Sequence, residues 1–342
     1  MKIILPMAGF GTRLRPHTWD VPKPLVPLAG KTMIDHVLDR LLVLAPEEII
    51  CIVGYRGEQI ERHLRARYTV PFRFVRQPEM RGQAHAIGLT QGLVEGDALV
   101  MFADTIFEAD FGPLRDLAAR GIDGAIYVKA IADPRRFGIA VLDGAGFATR
   151  LVEKPEQPVS NLALVGIYYF ADMAPLYGAI AALVASGKTL QGEYFLADAV
   201  QLLLDGGRRL TTLPVPVWED CGKPEELLRT NRYLLGLADT RAAPTIARSG
   251  DSLIIPPVAI DPSATLRRAV VGPHVSIGAG ATLDGVTIDD SIVGAGVSLA
   301  HATLTGSILS GQAAVHGARH RLNLGATARI EATHDEEDRQ PS

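Results

Sequence analysis

The chain has 342 residues, 47% of them hydrophobic, with 34 Lys and Arg against 38 Asp and Glu. That length supports two domains, or one large domain with an appendage, and a net charge of -4 excludes the basic footprint of a nucleic-acid binder. Cys51 and Cys221, the only cysteines, cannot form a disulfide framework and imply a reducing, cytoplasmic setting; no apolar run approaches the roughly 20 residues of a bilayer span, so neither export nor membrane insertion is expected.

In chain order, the apolar strand Lys2-Ile3-Ile4-Leu5 leads into LPMAGFGTRLRPHTWDVPKPLVPLAGKTMI, residues 5–34, and then into a helix with apolar Ile34, Val37, Leu38, Leu41 and Leu42. Gly9 and Gly11 lack a Cβ, so the backbone can turn sharply and aim several N–H groups at one small volume, an anion cradle. Arg13 and Lys23, set among prolines, add two positive charges suited to phosphate. The third glycine of a dinucleotide fingerprint is missing, and no Gly-Lys-Ser/Thr closes a Walker loop. Short strands and amphipathic helices then alternate to about residue 237: strand Glu48–Val53, helix Glu58–Arg67, strand Phe72–Arg76, helix Ala84–Leu93 and strand Ala98–Phe102. This alternation predicts a mostly parallel sheet covered by helices, with ligands at the carboxyl ends of the strands.

Where the third of these strands gives way to a helix, Gln77 offers both a donor and an acceptor, as a pyrimidine edge requires, and Gly82 allows close backbone approach to a flat base. Taken alone, a helix-opening turn with a solvated Gln77 fits equally well. Asp104 follows the buried strand, where a carboxylate beside a triphosphate would hold Mg²⁺ or cap the next helix. Residues 122–170 read as extended segments, Ile122–Val128 and Gly138–Leu142 among them, with a hairpin turn at Asp143-Gly144. A helix opened by Leu190–Ala199 runs to about Leu204. Asp220, in Val217-Trp218-Glu219-Asp220-Cys221-Gly222-Lys223-Pro224, is a second candidate metal ligand, and Cys221 reads as a small packed residue.

Residues 238–252 have few apolar anchors and read as a linker. Beyond it, Val271–Ser276, Ile277–Thr282, Leu283–Ile288 and Val293–Ser298 follow a six-residue repeat, an aliphatic residue opening each unit. Such repeats stack three to a coil as a parallel β-helix, here about three to four coils over 254–316. The domain reading is therefore 1–237, linker 238–252, β-helix 253–330, and a polar, disordered tail 331–342.

The patterns G-x-G-T-R-L-x-P, P-K-P-L-x-P and G-K-x-M-I resemble the N-terminal motif of the sugar-1-phosphate nucleotidylyltransferases, most of all the glucose-1-phosphate thymidylyltransferases. F-G at Phe137-Gly138, E-K-P at Glu153, S-N at Ser160 and G-x-Y at Gly166 match further family motifs. The resemblance implies an α/β fold with a Rossmann-like, mixed but mostly parallel sheet, followed by a short left-handed parallel β-helix. It implies that Ala8, Gly9, Gly11, Thr12 and Arg13 hold the nucleotide, Gln77 and Gly82 its base, and Asp104 and Asp220 the metal, Mg²⁺. Glu153 would accept sugar hydroxyls and Lys154 pair with the sugar phosphate, with Gly138, Asn161, Gly166 and Tyr168 around the ring; Arg13, Lys23 and Lys154 are the catalytic cations. Gln191 departs from the family arginine near the sugar phosphate, which puts glucose 1-phosphate in doubt as the acceptor.

The implied partners are dTTP or UTP and a sugar 1-phosphate, with no nucleic acid or membrane and with a homo-oligomeric assembly. The alternatives are a mannose-1-phosphate guanylyltransferase and a non-catalytic regulatory paralogue. Related β-helix folds in acyltransferases use a histidine, and His274, His301 and His316 are available, but a short β-helix is more often an assembly element or a lid.

Overall fold

The computed structural model describes residues 1–239 and 247–317, with the short stretches 319–320, 323–326 and 328–331. Its first strands are β1 (Lys2–Met7), β2 (Pro27–Leu28), β3 (Lys31–Thr32), β4 (Ile49–Val53), β5 (Phe72–Arg76), β6 (Ala98–Met101) and β7 (Thr105–Glu108). Then come β8 (Gly124–Ala130), β9 (Ile139–Leu142), β10 (Ala148–Val152), β11 (Leu162–Phe170), β12 (Leu210–Pro214) and β13 (Val217–Asp220). The helices are α1 (Met33–Leu41), α2 (Gly57–Arg67), α3 (Gln83–Gly88), α4 (Ala174–Ser186), α5 (Leu196–Asp205) and α6 (Pro224–Asp239). No helix among the described residues is long and apolar enough to cross a membrane.

The chain divides into two compact units. The first comprises 1–10, 22–24 and 34–219 and is built on a nine-stranded sheet whose main path runs β10-β9-β11-β6-β1-β4-β5. Strands β6, β1, β4 and β5 are parallel; β6, β1 and β4 are nearly continuous apolar runs, as strands buried between helical crossovers are, while β5 closes the strand order with alternating Phe and Arg. Strand β11 turns the sheet antiparallel by pairing with β6 and β8, so the sheet is mixed. One face buries Ile4, Ile50, Val100, Ile126 and Phe170 against Ile180 and Leu183 of α4 and Leu196 and Val200 of α5.

The second unit comprises 11–21, 25–33 and 220–342, so the β-helix unit also takes in two segments from near the N-terminus. Its strands stack on three faces, each with five parallel strands among the described residues, around a core that includes Val271, Ile288, Leu299, Leu304 and Val315. Asn231, fully buried in α6, ties the unit together. Its Oδ1 accepts from the Ala29 N–H (2.9 Å) and the Ser276 hydroxyl (2.6 Å), and its Nδ2 donates to the His274 carbonyl (3.2 Å).

Several boundaries differ from the sequence reading. Helix α3 stops at Gly88 instead of running to Leu93, because Thr90 Oγ1 donates to the Ile87 carbonyl (2.7 Å) and meets the Tyr177 hydroxyl (2.8 Å) in a turn. Helix α6 continues to Asp239, and Ala247–Ser249 pairs antiparallel with Ser252–Ile254 inside the expected linker; residues 240–246 lie outside the described residues. Over 254–316 the strands complete four coils, as the repeat arithmetic allows, and a fifth is formed beyond that range by Arg319–His320, Asn323–Leu324 and Arg329–Glu331 among the described residues. Val258 pairs with Val275 and Ile292 with Ile308, so coils of 17 and 16 residues shift the six-residue spacing as they climb. The expected tail lies outside the described residues from 332 onward.

Strand β8 tests the sheet directly, since a Cβ on Gly124 would lie 2.3 Å from the Tyr169 carbonyl oxygen of β11. Gly124→Ala should therefore lower stability by about 1–3 kcal/mol in urea unfolding, the usual cost of overpacking. An unchanged midpoint would show that the two strands separate without cost.

Candidate active site

In the first unit, β1 and β4 deliver their following turns to one edge of the sheet. The Tyr55 N–H donates to the Ala8 carbonyl (3.4 Å), and a Cβ on Gly54 would lie 2.7 Å from that same oxygen. Gly9 differs: nothing lies within 4 Å of where its Cβ would be, so a ligand can approach the backbone there.

Lys23 Nζ donates to Asp104 Oδ2 at 2.8 Å, with the lysine side chain 12% exposed and the carboxylate 40%. Asp104 lies in the turn between β6 and β7, beyond the strand end at Met101. A pair this accessible contributes about 1 kcal/mol or less to stability. Its larger consequence is to hold a fixed cation and a charged carboxylate at the carboxyl edge of the sheet.

Gln77 is only 5% exposed. Its Nε2 donates to the Gly82 carbonyl (3.3 Å) and meets His85 Nδ1 (3.3 Å), so its donors are directed into the protein. Burial, with the Arg81 cation second, holds the His85 imidazole below its ordinary pKa. Gly82 has φ +99°, and a Cβ there would lie 2.5 Å from the Tyr194 carbonyl oxygen. That packing alone requires glycine.

The same holds further along. A Cβ on Gly166, at φ +84°, would lie 2.6 Å from Phe102 Cδ2, at the irregularity where β11 shifts register against β8. A Cβ on Gly138 would lie 2.7 Å from Leu164 Cδ1 and 2.8 Å from Glu153 Oε2. Tyr168 is 2% exposed, stacked with Phe170 at 6.4 Å and tilted against Phe102 at 6.2 Å, so the structure places it in the core. The backbone carbonyl of Asn161 accepts from the Ile131 N–H (3.0 Å).

Glu153 and Lys154 form the second charged group of this unit. The Glu153 carboxyl, 14% exposed, is pushed up to about 7 by burial; Lys154 opposes the shift, while Asp198 and Glu193 add to it. Lys154 Nζ lies 3.9 Å from Glu153 Oε1 and 4.5 Å from the centroid of the Phe195 ring. The lysine is thus held by a cation–π contact and, where pH exceeds about 7 and Glu153 is charged, by a weak ion pair.

In the second unit, Gly11 at φ 63° precedes a single helical turn, Thr12–Leu14. The Gly11 carbonyl accepts from the Leu14 N–H (2.9 Å) and the Thr18 hydroxyl (2.8 Å). A Cβ on Gly222 would lie 3.1 Å from Arg13 Nη1 and 3.1 Å from both Asp220 carboxylate oxygens. The absent side chain brings this cation and acid side by side. Cys221 is buried, its thiol 3.5 Å from Thr230 Oγ1.

Among the described residues no group of three or more His, Cys, Asp or Glu gathers to hold a metal. Single carboxylates such as Asp104 and Asp220 suit a hard cation that completes its shell with water and substrate phosphates. Sequence reasoning missed Phe102, Phe195, Tyr194 and Gly222. Of these, Gly222 had a local signal, a glycine two residues after a candidate ligand.

An α/β unit presenting a glycine turn, phosphate-compatible cations and single carboxylates defines a phosphoryl- or nucleotidyl-transfer protein. The family model described as nucleotidyl transferase matches residues 1–236, and the chain belongs to this family, within its sugar-1-phosphate nucleotidylyltransferases. Agl11 of Haloferax volcanii, a nucleotidyltransferase of low-salt glycan biosynthesis, is 33% identical over 86% of this chain and 87% of its own length. AglF of the same organism, a UTP–glucose-1-phosphate uridylyltransferase, is 34% identical over 66% of this chain and 93% of its own. A glucose-1-phosphate thymidylyltransferase of Streptomyces griseus is 30% identical over 88% of this chain and 82% of its own.

The raised Glu153 pKa sets a sign. Between the ordinary carboxyl value of 4.5 and about 7 the folded protein holds the extra proton, so this group's contribution is complete at low pH and lost as pH rises through about 7. Glu153→Gln should accordingly gain up to about 3 kcal/mol over the parent at pH 8 and nothing at pH 4.5, read by urea unfolding. A gain equal at both pH values would refute a buried neutral carboxyl.

Proposed function

We propose that this sugar-1-phosphate nucleotidyltransferase joins dTTP or UTP to a sugar 1-phosphate, with glucose 1-phosphate the first acceptor to test. An oxygen of the sugar phosphate attacks the α-phosphorus in line. The new P–O bond forms as the bond from the α-phosphorus to the bridging oxygen breaks, and pyrophosphate leaves with that electron pair. No covalent enzyme intermediate is needed, and catalysis is positioning plus neutralisation of charge.

The observation that carries the reading is Lys23 held on Asp104 at 2.8 Å, at the carboxyl edge of a parallel sheet where ligands of α/β folds sit. In this reading Lys23 neutralises phosphate charge near the reacting centre, and Arg13 steadies the departing pyrophosphate. Ala8, Gly9, Gly11 and Thr12 supply the phosphate-facing backbone. Lys154 holds the attacking phosphate, and Glu153 accepts sugar hydroxyls. Enzymes of this family act with a divalent metal ion; Mg²⁺ bound by Asp104 and Asp220 would supply Lewis-acid stabilisation of the phosphate oxygens.

Base choice rests on Gln77. With Nε2 directed to Gly82 and His85, its Oε1 is the atom suited to accept the N3–H that thymine and uracil share and cytosine lacks. The two accepted bases differ by one methyl group, worth about 1 kcal/mol. Exposed Gln191, where the family has arginine, favours an acceptor other than glucose 1-phosphate as the second reading.

Pyrophosphate release from a panel of nucleoside triphosphates and sugar 1-phosphates tests this. The reading expects dTTP and UTP to be used at least 10-fold better than CTP or purine donors, and preference for GTP would replace it with guanylyl transfer. Asp104→Ala should keep the fold by circular dichroism and lose at least about 100-fold in kcat; near-normal turnover would remove Asp104 from the chemistry.

A further inference from the structure

The segment 11–21, which carries Thr12 and Arg13, belongs to the β-helix unit, and one side chain fastens it there. His17 is 3% exposed. Its Nδ1 lies 2.5 Å from Ser310 Oγ, and its Nε2 is hydrogen-bonded to Asn323 Oδ1. Both partners stand on the last coils, about three hundred residues away in sequence. Since Asn323 Oδ1 only accepts, Nε2 carries the proton and Nδ1 accepts from the Ser310 hydroxyl. Burial holds this imidazole below its ordinary pKa, which keeps the single-proton form at neutral pH. Beside it the ring of Pro16 packs against Gly325, where a Cβ would lie 2.7 Å from Pro16 Cβ.

The contact is continuous with the turn that carries Thr12 and Arg13. Leu14 N–H donates to the Gly11 carbonyl (2.9 Å), Arg15 N–H to Thr12 (3.3 Å), His17 N–H to Leu14 (3.0 Å) and Trp19 N–H to Pro16 (3.2 Å). These bonds form a run of tight turns from Gly11 to Trp19. We propose that His17 is a positioning residue: through Ser310 and Asn323, the closing coils of the β-helix set where Arg13 and the Thr12 backbone meet the triphosphate. This rests on the nucleotidyl-transfer reading above and deepens it.

Ser310→Ala, Asn323→Ala, His17→Ala and the double variant His17→Ala/Ser310→Ala test it, with His17→Gln as the conservative replacement that keeps an amide donor and acceptor. The first readout is hydrogen exchange of the amides of residues 14–19, which does not depend on activity. Ser310→Ala and Asn323→Ala should raise exchange there while the amides of β1 stay protected. The second is steady-state kinetics. kcat/KM for the nucleotide should fall about 10- to 100-fold, as displaced positioning groups generally cost, with KM for the sugar phosphate within twofold. His17→Gln should restore part of the loss, and the double variant should lose no more than His17→Ala alone.

Unchanged exchange in Ser310→Ala and Asn323→Ala would overturn the clamp. Raised exchange with unchanged nucleotide kinetics, or losses falling equally on both substrates, would overturn the positioning role. A parent protein that turns over no nucleoside triphosphate would sink the functional reading instead, leaving the exchange result to decide the clamp.

Discussion

Two polyanions must be brought within bonding distance of each other, and their mutual repulsion is the constraint that the arrangement of this chain answers. Between unit charges a few ångströms apart that repulsion is several kcal/mol at the effective dielectric of a protein surface. It is met by cations fixed before the substrates arrive, because side chains that must first be gathered lose much of their effect to reorganisation. Two of the candidate cations are restrained by different means: Lys23 is held by Asp104 at 2.8 Å, and Lys154 by Glu153 and the face of Phe195. Arg13 lies beside Asp220 where Gly222 leaves room for both.

The folds supply the restraint. Parallel strands β6, β1, β4 and β5 end at one edge, and the apolar face beneath them fixes that edge against α4 and α5. The β-helix contributes differently. Five stacked strands on each face form a stiff core that carries Asn231's contacts to the turn at Ala29 and, near its far end, the partners of His17. A glycine turn that must bend sharply has little stability of its own; from Gly11 onward its residues belong to the β-helix unit.

What the sequence made legible follows from how local each signal is. Strands such as Ile49–Val53 and Ala98–Met101 were readable because a run of apolar residues bounded by polar ones is a local pattern, and the six-residue repeat of the β-helix is another. The Lys23–Asp104 pair was anticipated only as two separate groups, a cation suited to phosphate and a carboxylate suited to Mg²⁺. The glycines were harder. Gly82, Gly138 and Gly166 looked like places where a ligand touches the backbone, yet what lies beside them is Tyr194, Leu164 with Glu153, and Phe102, neighbours that folding brings in from other elements. Tyr168 likewise turned out to be in the core because its strand is covered on that face. The fifth coil went uncounted because its strands, Arg319–His320, Asn323–Leu324 and Arg329–Glu331, do not open on an aliphatic residue. His17 gave no signal at all, as a lone histidine in a loop has no pattern before its partners are known.

If catalysis consists of holding two substrates and neutralising their charge, no nucleotidyl group is ever transferred to the protein. Exchange of labelled pyrophosphate into the nucleoside triphosphate measures this, run on purified enzyme with metal, with and without the sugar component. Direct transfer predicts label in the triphosphate only when the nucleotide-sugar or its sugar 1-phosphate is present. Equally fast exchange with no sugar component would reveal a covalent nucleotidyl-enzyme and contradict the account.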